Sequence, residues 1–339
     1  MSTRPVSKRA RGLALAVAAA ACAPTRDVPG PLTVIRDTDV SALIGTDALT
    51  SLQYDASGDI LVLGGTRPLR LPRTGGRSPE VLEALERELG SGADVVRLER
   101  IGEDTLLMVA RGAERLTLWH ADRPAGDAAL PPAVSVLDAT VADWPARVFA
   151  LALRRSDREL LLLRATGDRM VIDTSVALHG RSSLKHPNLV TLGNAVQGGV
   201  WLAQSRPDEL SRIAVDGTIT ARWVWRPEWT AHFTFPASPD PFIAALHEDA
   251  ERRLWLFWRV ARRGTGPALI DASRGVQIED RRRLFDTVVE VLDPDEGRVL
   301  ARGRVAAHVL NLLPDGRVVL YRRGGAADGT VGVYRFSVP

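Results

Sequence analysis

The 339-residue chain holds a single cysteine, Cys22. That excludes an intramolecular disulfide and any cage of cysteine ligands around a metal. Lysine is almost as scarce: Lys8 and Lys185 are the only two, so nearly all positive charge is arginine. A GC-rich genome accounts for that bias better than a phosphate-binding role does. No apolar run beyond residue 21 reaches 18 residues, so no later segment is long enough to cross a membrane as a helix. The chain lacks a G-x-S-x-G elbow, a Walker A loop, a dinucleotide fingerprint and an H-E-x-x-H pair. No catalytic residue is therefore assigned.

What is present is a globular composition, 45% hydrophobic and 25% charged. The formal charge of +3 is concentrated at one end. Residues 1–21 contain Arg4, Lys8, Arg9 and Arg11 and no acid; without them 40 basic residues face 41 acidic ones, a balance near −1. The basic pI thus belongs to the leader and gives no reason to expect nucleic acid.

The leader has the order of an export signal. A positive stretch, 4–11, precedes the apolar run GLALAVAAAA, 12–21. Ten residues rise about 15 Å as a helix, against a hydrocarbon core of about 30 Å. A cleaved signal peptide is expected over 1–21 rather than a permanent span. Ala19-Ala20-Ala21-Cys22 resembles the lipobox of bacterial lipoproteins, with small residues before a cysteine. The resemblance implies cleavage after Ala21 and a diacylglycerol on the Cys22 thiol. Ala19 and Ala21 also satisfy ordinary A-x-A cleavage, which is the alternative. Residues 22–31 then form a lipidated cysteine and a short Pro-rich tether. Such a chain would sit outside the cytoplasm, in the periplasm or at the cell surface. Ala23 lacks the Asp familiar as an inner-membrane retention signal, which favours an outer membrane where one exists.

From residue 32 onward one pattern recurs: an apolar strand, a tight polar turn and a second apolar strand. Copies lie at 51–64, 97–110, 150–163, 191–204, 245–257 and 311–321. Gly, Asp, Asn and Ser in the turns are hairpin chemistry. Third and fourth strands are expected at 210–217 and 218–225, and again at 287–293 and 298–305. The last repeat has only 309–313, 318–322 and 331–338, so LTVIR (32–36) is expected to supply its fourth strand and close a ring. A helix is expected from Ser78 as N-cap and Pro79 at the first position, with Val81, Leu82, Leu85 and Leu89 on one face and Gly90 as the stop. Residues 262–286 read as a surface insertion.

The repeats resemble those of six-bladed β-propeller lipoproteins, a loose group of NHL/TolB-like or sensor-type architecture. Glu248-Asp249 with Leu254-Trp255 is similar to a motif in sensor propellers of two-component regulators. The resemblance implies an all-β, six-bladed propeller over 32–339, with seven blades as the alternative count and one short helix in a blade-linking loop.

Candidate contacts are few. Trp223, Trp225 and Trp229 cluster in WVWRPEW, with His232 nearby. Trp223 and Trp225 share a strand face at period two. They could form an aromatic platform for a ligand, or pack between blades. Trp229, in a Pro-bounded loop, is the best candidate for an exposed contact. The six histidines make no short metal motif. His247-Glu248-Asp249 reads as a turn, because neighbouring strand residues point to opposite faces. Asp293–Gly297 reads as a hairpin rather than a calcium loop. VLDPDEGRVLAR (291–302) is similar to a quinoprotein blade, but it occurs once and without Trp, so no quinone is expected. No metal or other cofactor is assigned. The sequence thus favours a membrane-tethered, non-enzymatic binding module for an envelope protein or ligand. A propeller hydrolase or lactonase with a channel metal, and a small-ligand sensor, are the alternatives.

Overall fold

The computed structural model describes residues 30–39, 51–54, 60–63, 69–71, 80–81, 83, 87, 95–100, 105–110, 115–120, 123–143, 147–154, 157–166, 169–177, 190–196, 198–205, 208–225, 227–232, 241–262, 284–313, 316–322 and 330–338. Strand β1 (Thr33–Asp39) comes first in the chain but belongs to the last blade. The first blade is β2 (Ser51–Tyr54), β3 (Ile60–Leu63), β4 (Leu69–Leu71) and β5 (Glu80–Val81). The second is β6 (Val95–Arg100), β7 (Thr105–Ala110), β8 (Arg115–His120) and β9 (Arg123–Ala129). The third is β10 (Val134–Asp143), β11 (Arg147–Arg154), β12 (Asp157–Thr166) and β13 (Arg169–Ala177). The fourth is β14 (Val190–Asn194), β15 (Val200–Ser205), β16 (Asp208–Ile213) and β17 (Ile219–Val224). The fifth is β18 (Phe242–Glu248), β19 (Leu254–Ala261), β20 (Phe285–Asp293) and β21 (Arg298–Val305). The sixth is β22 (Ala307–Leu312), β23 (Val318–Arg322), β24 (Thr330–Ser337) and, outermost, β1.

Each blade is an antiparallel meander. A single parallel bridge, Ala129 to Arg169, links the outer strands of the second and third blades. The innermost strands β2, β6, β10, β14, β18 and β22 each touch the next, and β22 returns to β2. The ring is closed, and the protein is a six-bladed β-propeller. β1 pairs antiparallel with β24 from Thr33 with Ser337 to Asp39 with Gly332, with one bulge at Arg36/Thr38. Asp37 adds ion pairs to Arg317 and Arg335 at 3.1 and 3.5 Å. Upstream, Gly30 is clipped to β21: its N–H donates to Leu300 O and its carbonyl accepts from Arg302 N. Among the described residues the docked body begins at Gly30, inside the stretch expected as tether.

The strand chemistry follows position within the blade. Middle strands are covered by a blade on each side and so are apolar on both faces. β19, LWLFWRVA, is buried at every position but Arg259. Outer strands keep one wet face: β17, ITARWV, leaves Ile219 and Val224 exposed and half-buries Ala221 and Trp223. Apolar layers lie between successive blades, for example Trp201, Leu210, Leu246, Leu256 and Trp258 between the fourth and fifth. Polar side chains stitch neighbouring blades together. Thr140 Oγ1 donates to Asn194 Oδ1, Thr191 Oγ1 to Ile243 O, and Thr287 Oγ1 to Ala307 O.

Two sequence expectations need correction. The copy at 150–163 is not the inner pair of its blade; it falls on the second and third strands, β11 and β12. The inner strand is β10, VSVLDATVAD, where Ser, Asp and Thr interrupt the apolar residues and two bulges break the period. The helix does not begin at Pro79, because Glu80 and Val81 pair with β4 as the blade's fourth strand. Helical backbone is found at Glu83 and Arg87. Ser78, Pro79, Leu82, Leu85, Leu89 and Gly90 lie outside the described residues. The insertion in the fifth blade is pinched at its neck, where Arg262 N donates to Leu284 O at 2.9 Å; residues 263–283, with the Arg281–Arg283 run, lie outside the described residues.

Packing between the fourth and fifth blades leaves no room for a side chain at Gly193. A Cβ there would lie 2.3 Å from the backbone oxygen of Leu246. Gly193→Ala is expected to cost about 1–3 kcal/mol, the range of core overpacking, read as a lower urea midpoint with an unchanged m-value.

Candidate functional site

Between the fourth and fifth blades the aromatic cluster meets a set of buried carboxylates. Trp223, on the outer strand β17, stacks on Trp201 with ring centroids 5.2 Å apart and planes 16° from parallel. Trp225 follows two residues later on the same side. Both are half-buried against the interblade core, while Val224 between them points outward and is 78% exposed. Period two thus puts the two indoles on one face. Trp229 lies in a 3-10 turn, Glu228–His232, that carries the chain away from β17. It is half-buried and meets Trp258 edge-on at 5.4 Å. The side chain of His232 lies outside the described residues.

The indole N–H groups converge on Glu290, which has no exposed surface. Trp229 donates to Oε1 at 2.9 Å and Trp225 to Oε2 at 3.4 Å. Arg302 Nε donates to Oε1 at 2.7 Å. A buried carboxylate needs such partners, since an unpaired charge away from water is costly. Glu290 is the one acid inside the run VVEVL of β20, which Asp286 and Asp293 flank; a single charge inside an apolar run was its signal in the sequence.

A second carboxylate, Glu248, lies at the end of β18. Its Oε2 accepts from Trp201 Nε1 at 2.7 Å and from Val196 N at 3.1 Å, both in the fourth blade. Arg212 and Arg252 stand 3.8 and 3.7 Å from its two oxygens. Asp249 turns the other way, into its own hairpin. Its carboxylate accepts from Glu251 N, Arg253 N, Arg253 Nε and Trp255 Nε1. His247 is directed toward Gly316 of the sixth blade, where a Cβ would lie 3.1 Å from its Nε2. The three consecutive residues therefore face three different neighbours. Among the described residues, no three His, Cys, Asp or Glu side chains are grouped to hold a metal. Asp293 likewise closes its own turn: Asp295 N and Glu296 N donate to its Oδ1, and Gly297 N donates to its carbonyl.

On the outer side of this interface lies a cavity of about 190 Å³, lined mainly by apolar groups of Leu210, Trp223, Trp225, Leu254, Leu292 and Pro294. Its walls are held by Trp223 on Trp201 and Trp225 on Glu290, which fixes the indoles before any ligand arrives. Cys22, Ala19 and Ala21 lie outside the described residues. Among the described residues no helix is long and apolar enough to cross a membrane.

No family model matches the chain, and no curated protein matches it. Solved β-propellers are similar in outline. Catalytically inactive virginiamycin B lyase from Staphylococcus aureus with quinupristin is 12% identical, over 89% of this chain and 98% of that one, with a TM-score of 0.49. Regucalcin, a calcium-binding protein from Agrobacterium tumefaciens, is 14% identical, over 90% and 94%, with a TM-score of 0.48. The WD40 domain of Toxoplasma gondii coronin is 11% identical, over 92% and 78%, with a TM-score of 0.47. Values this low carry no argument about ligand or chemistry; the fold stands on the strand order and the closed ring.

Two outcomes follow from the carboxylates. Glu248→Ala strands Trp201 Nε1, Val196 N and two arginines, and is expected to cost about 3 kcal/mol, measured by urea denaturation. For Asp249, burial alone would raise the carboxyl pKa. The hydrogen bonds from Trp255 and from Arg253 backbone and side chain, with the Arg253 charge, outweigh it and hold the group below its ordinary 3.8. A carboxyl depressed on folding stabilises above its unfolded pKa, and that stability is lost as pH falls through the folded value. Asp249→Asn is therefore expected to be less stable than the parent at pH 7, with the gap closing below about pH 3.8.

Proposed function

We propose that the chain is an exported lipoprotein whose propeller is a binding module for an envelope protein or ligand, not a catalyst. The observation that carries this reading is the position of Cys22. The only cysteine directly follows a charged and apolar leader, and Gly30, the first described residue and already docked on β21, comes eight residues later. Eight extended residues reach at most about 28 Å. An acylated Cys22 would hold the propeller close to the bilayer, and two or more acyl chains give stable anchoring. Confinement of this kind raises the effective concentration of the module toward membrane partners.

The groove floored by Trp223 and Trp225 is the contact we assign to that partner, with Trp229 bracing it through Glu290 and His232 close by in the chain. Rigid aromatic groups bury large area at small entropic cost, which suits a preformed site.

Intact-mass measurement of the mature protein tests the anchor. The expected mass is that of a chain starting at Cys22 with a diacylglyceryl group, lost in Cys22→Ala; an unmodified Cys22 thiol overturns it. Crosslinking in the native envelope tests the groove. One specific partner is expected to be trapped by the parent, and less of it by Trp223→Ala at equal protein level. Reproducible turnover by the pure protein would overturn the non-enzymatic reading.

A further inference from the structure

The central channel holds an arginine with no carboxylate within 4 Å among the described residues. Arg259 on β19 is the one interruption in that strand's buried run. Arg212, Arg253, Arg302 and Arg304 each have a carboxylate within 4 Å. Arg259 has none among the described residues. Its neighbours are two aromatic rings, Phe242 at 4.8 Å and Phe285 at 5.9 Å from the guanidinium carbon. Its Nε–H is buried and donates to no group among the described residues. Burial lowers its pKa to about 10, so it remains protonated at neutral pH.

Arg259 lines a cavity of about 180 Å³ whose other walls come from the inner strands β10, β14, β18 and β22. Two further polar groups stand on those walls. Asn311 uses its Oδ1 to accept from Leu312 N, which leaves its amide N–H groups as donors. Asp138 on β10 accepts from Ala139 N through Oδ1. The lining thus combines a planar cationic fork, a neutral donor and one carboxylate, in a space comparable to cavities that hold a benzene-sized guest.

We propose that this channel cavity binds a small organic carboxylate carrying a hydroxyl or amine, with its carboxylate on the Arg259 guanidinium. A guanidinium presents paired N–H donors that match a carboxylate in plane. Asn311 adds a donor, and Asp138 accepts from the ligand's hydroxyl or ammonium. The negative charge of Asp138 disfavours a dianion such as phosphate in the same space. A bound carboxylate also supplies the counter-charge that the fold leaves out, offsetting the cost of a desolvated cation. The site lies in the channel, apart from the Trp223 groove, so the two readings fail separately.

Thermal unfolding of the full chain in detergent tests the proposal, with lactate, glycine, acetate and inorganic phosphate as probes at matched ionic strength. Lactate or glycine is expected to raise Tm with concentration as a bound ligand does, more than acetate, and phosphate is expected to leave it unchanged. Arg259→Met is expected to fold with an unliganded Tm at or above the parent, since it removes an uncompensated charge, and to weaken binding at least tenfold in calorimetry. Trp223→Ala is expected to keep the carboxylate response. The proposal is overturned if no carboxylate shifts Tm, if phosphate shifts it most, or if Arg259→Met binds as the parent does. An Arg259→Met chain that fails to fold, alongside a parent indifferent to every probe, would make Arg259 a packing residue only.

Discussion

A four-stranded blade has two apolar faces and no core of its own, so only other blades can cover it. Nearly everything else follows from that constraint. Leu116, Val136 and Leu163 pack together as one layer and Trp201, Leu256 and Trp258 as another, so the core is a series of slabs radiating from the axis. A ring is the arrangement in which every slab has a partner. It also shapes composition: most charges on strands in the middle of a blade are answered by a neighbour, as Arg302 answers Glu290 and Arg304 answers Asp286, and Arg259 is the exception.

The interface of the fourth and fifth blades shows how this is specialised. Alongside its apolar residues this slab carries two buried carboxylates that accept indole N–H groups. Glu248 reaches back to Trp201, and Glu290 takes Trp225 and Trp229 from the chain crossing between blades. Charge-assisted hydrogen bonds fix the orientation of three large side chains that stacking alone would leave free to slide. The outer cavity beside them therefore has walls of defined shape.

Much of the architecture was legible in the sequence because hairpin chemistry is local. The turns at Asp216-Gly217, Asp249–Arg253 and Asp293–Gly297 close within a few residues, and their flanking strands follow directly. β10 was missed because its bulges and interspersed polar residues hide the period of two, and β5 because Ser-Pro-Glu is equally good chemistry for a helix start. The interblade contacts were less legible for a different reason. Trp201 lies 47 residues from Glu248, and Trp229 lies 61 from Glu290. Only the closing of the ring decides which acid an indole meets. Composition did leave a trace: Glu290 and Arg259 are lone charges inside apolar runs, VVEVL and LWLFWRVA.

The seam between β1 and β24 has a consequence for the order of events during synthesis. β1 leaves the ribosome first and its partner leaves last, so an edge of the sixth blade stays open until the whole chain is made. Asp37 must wait for Arg317 and Arg335, 280 and 298 residues downstream. Contacts so distant form late, because loop closure must come before any reward. Until that pairing is made, the edge of β24 keeps its backbone N–H and C=O groups open to other strands. A premature stop anywhere before Thr330 would leave β1 with nothing to pair with.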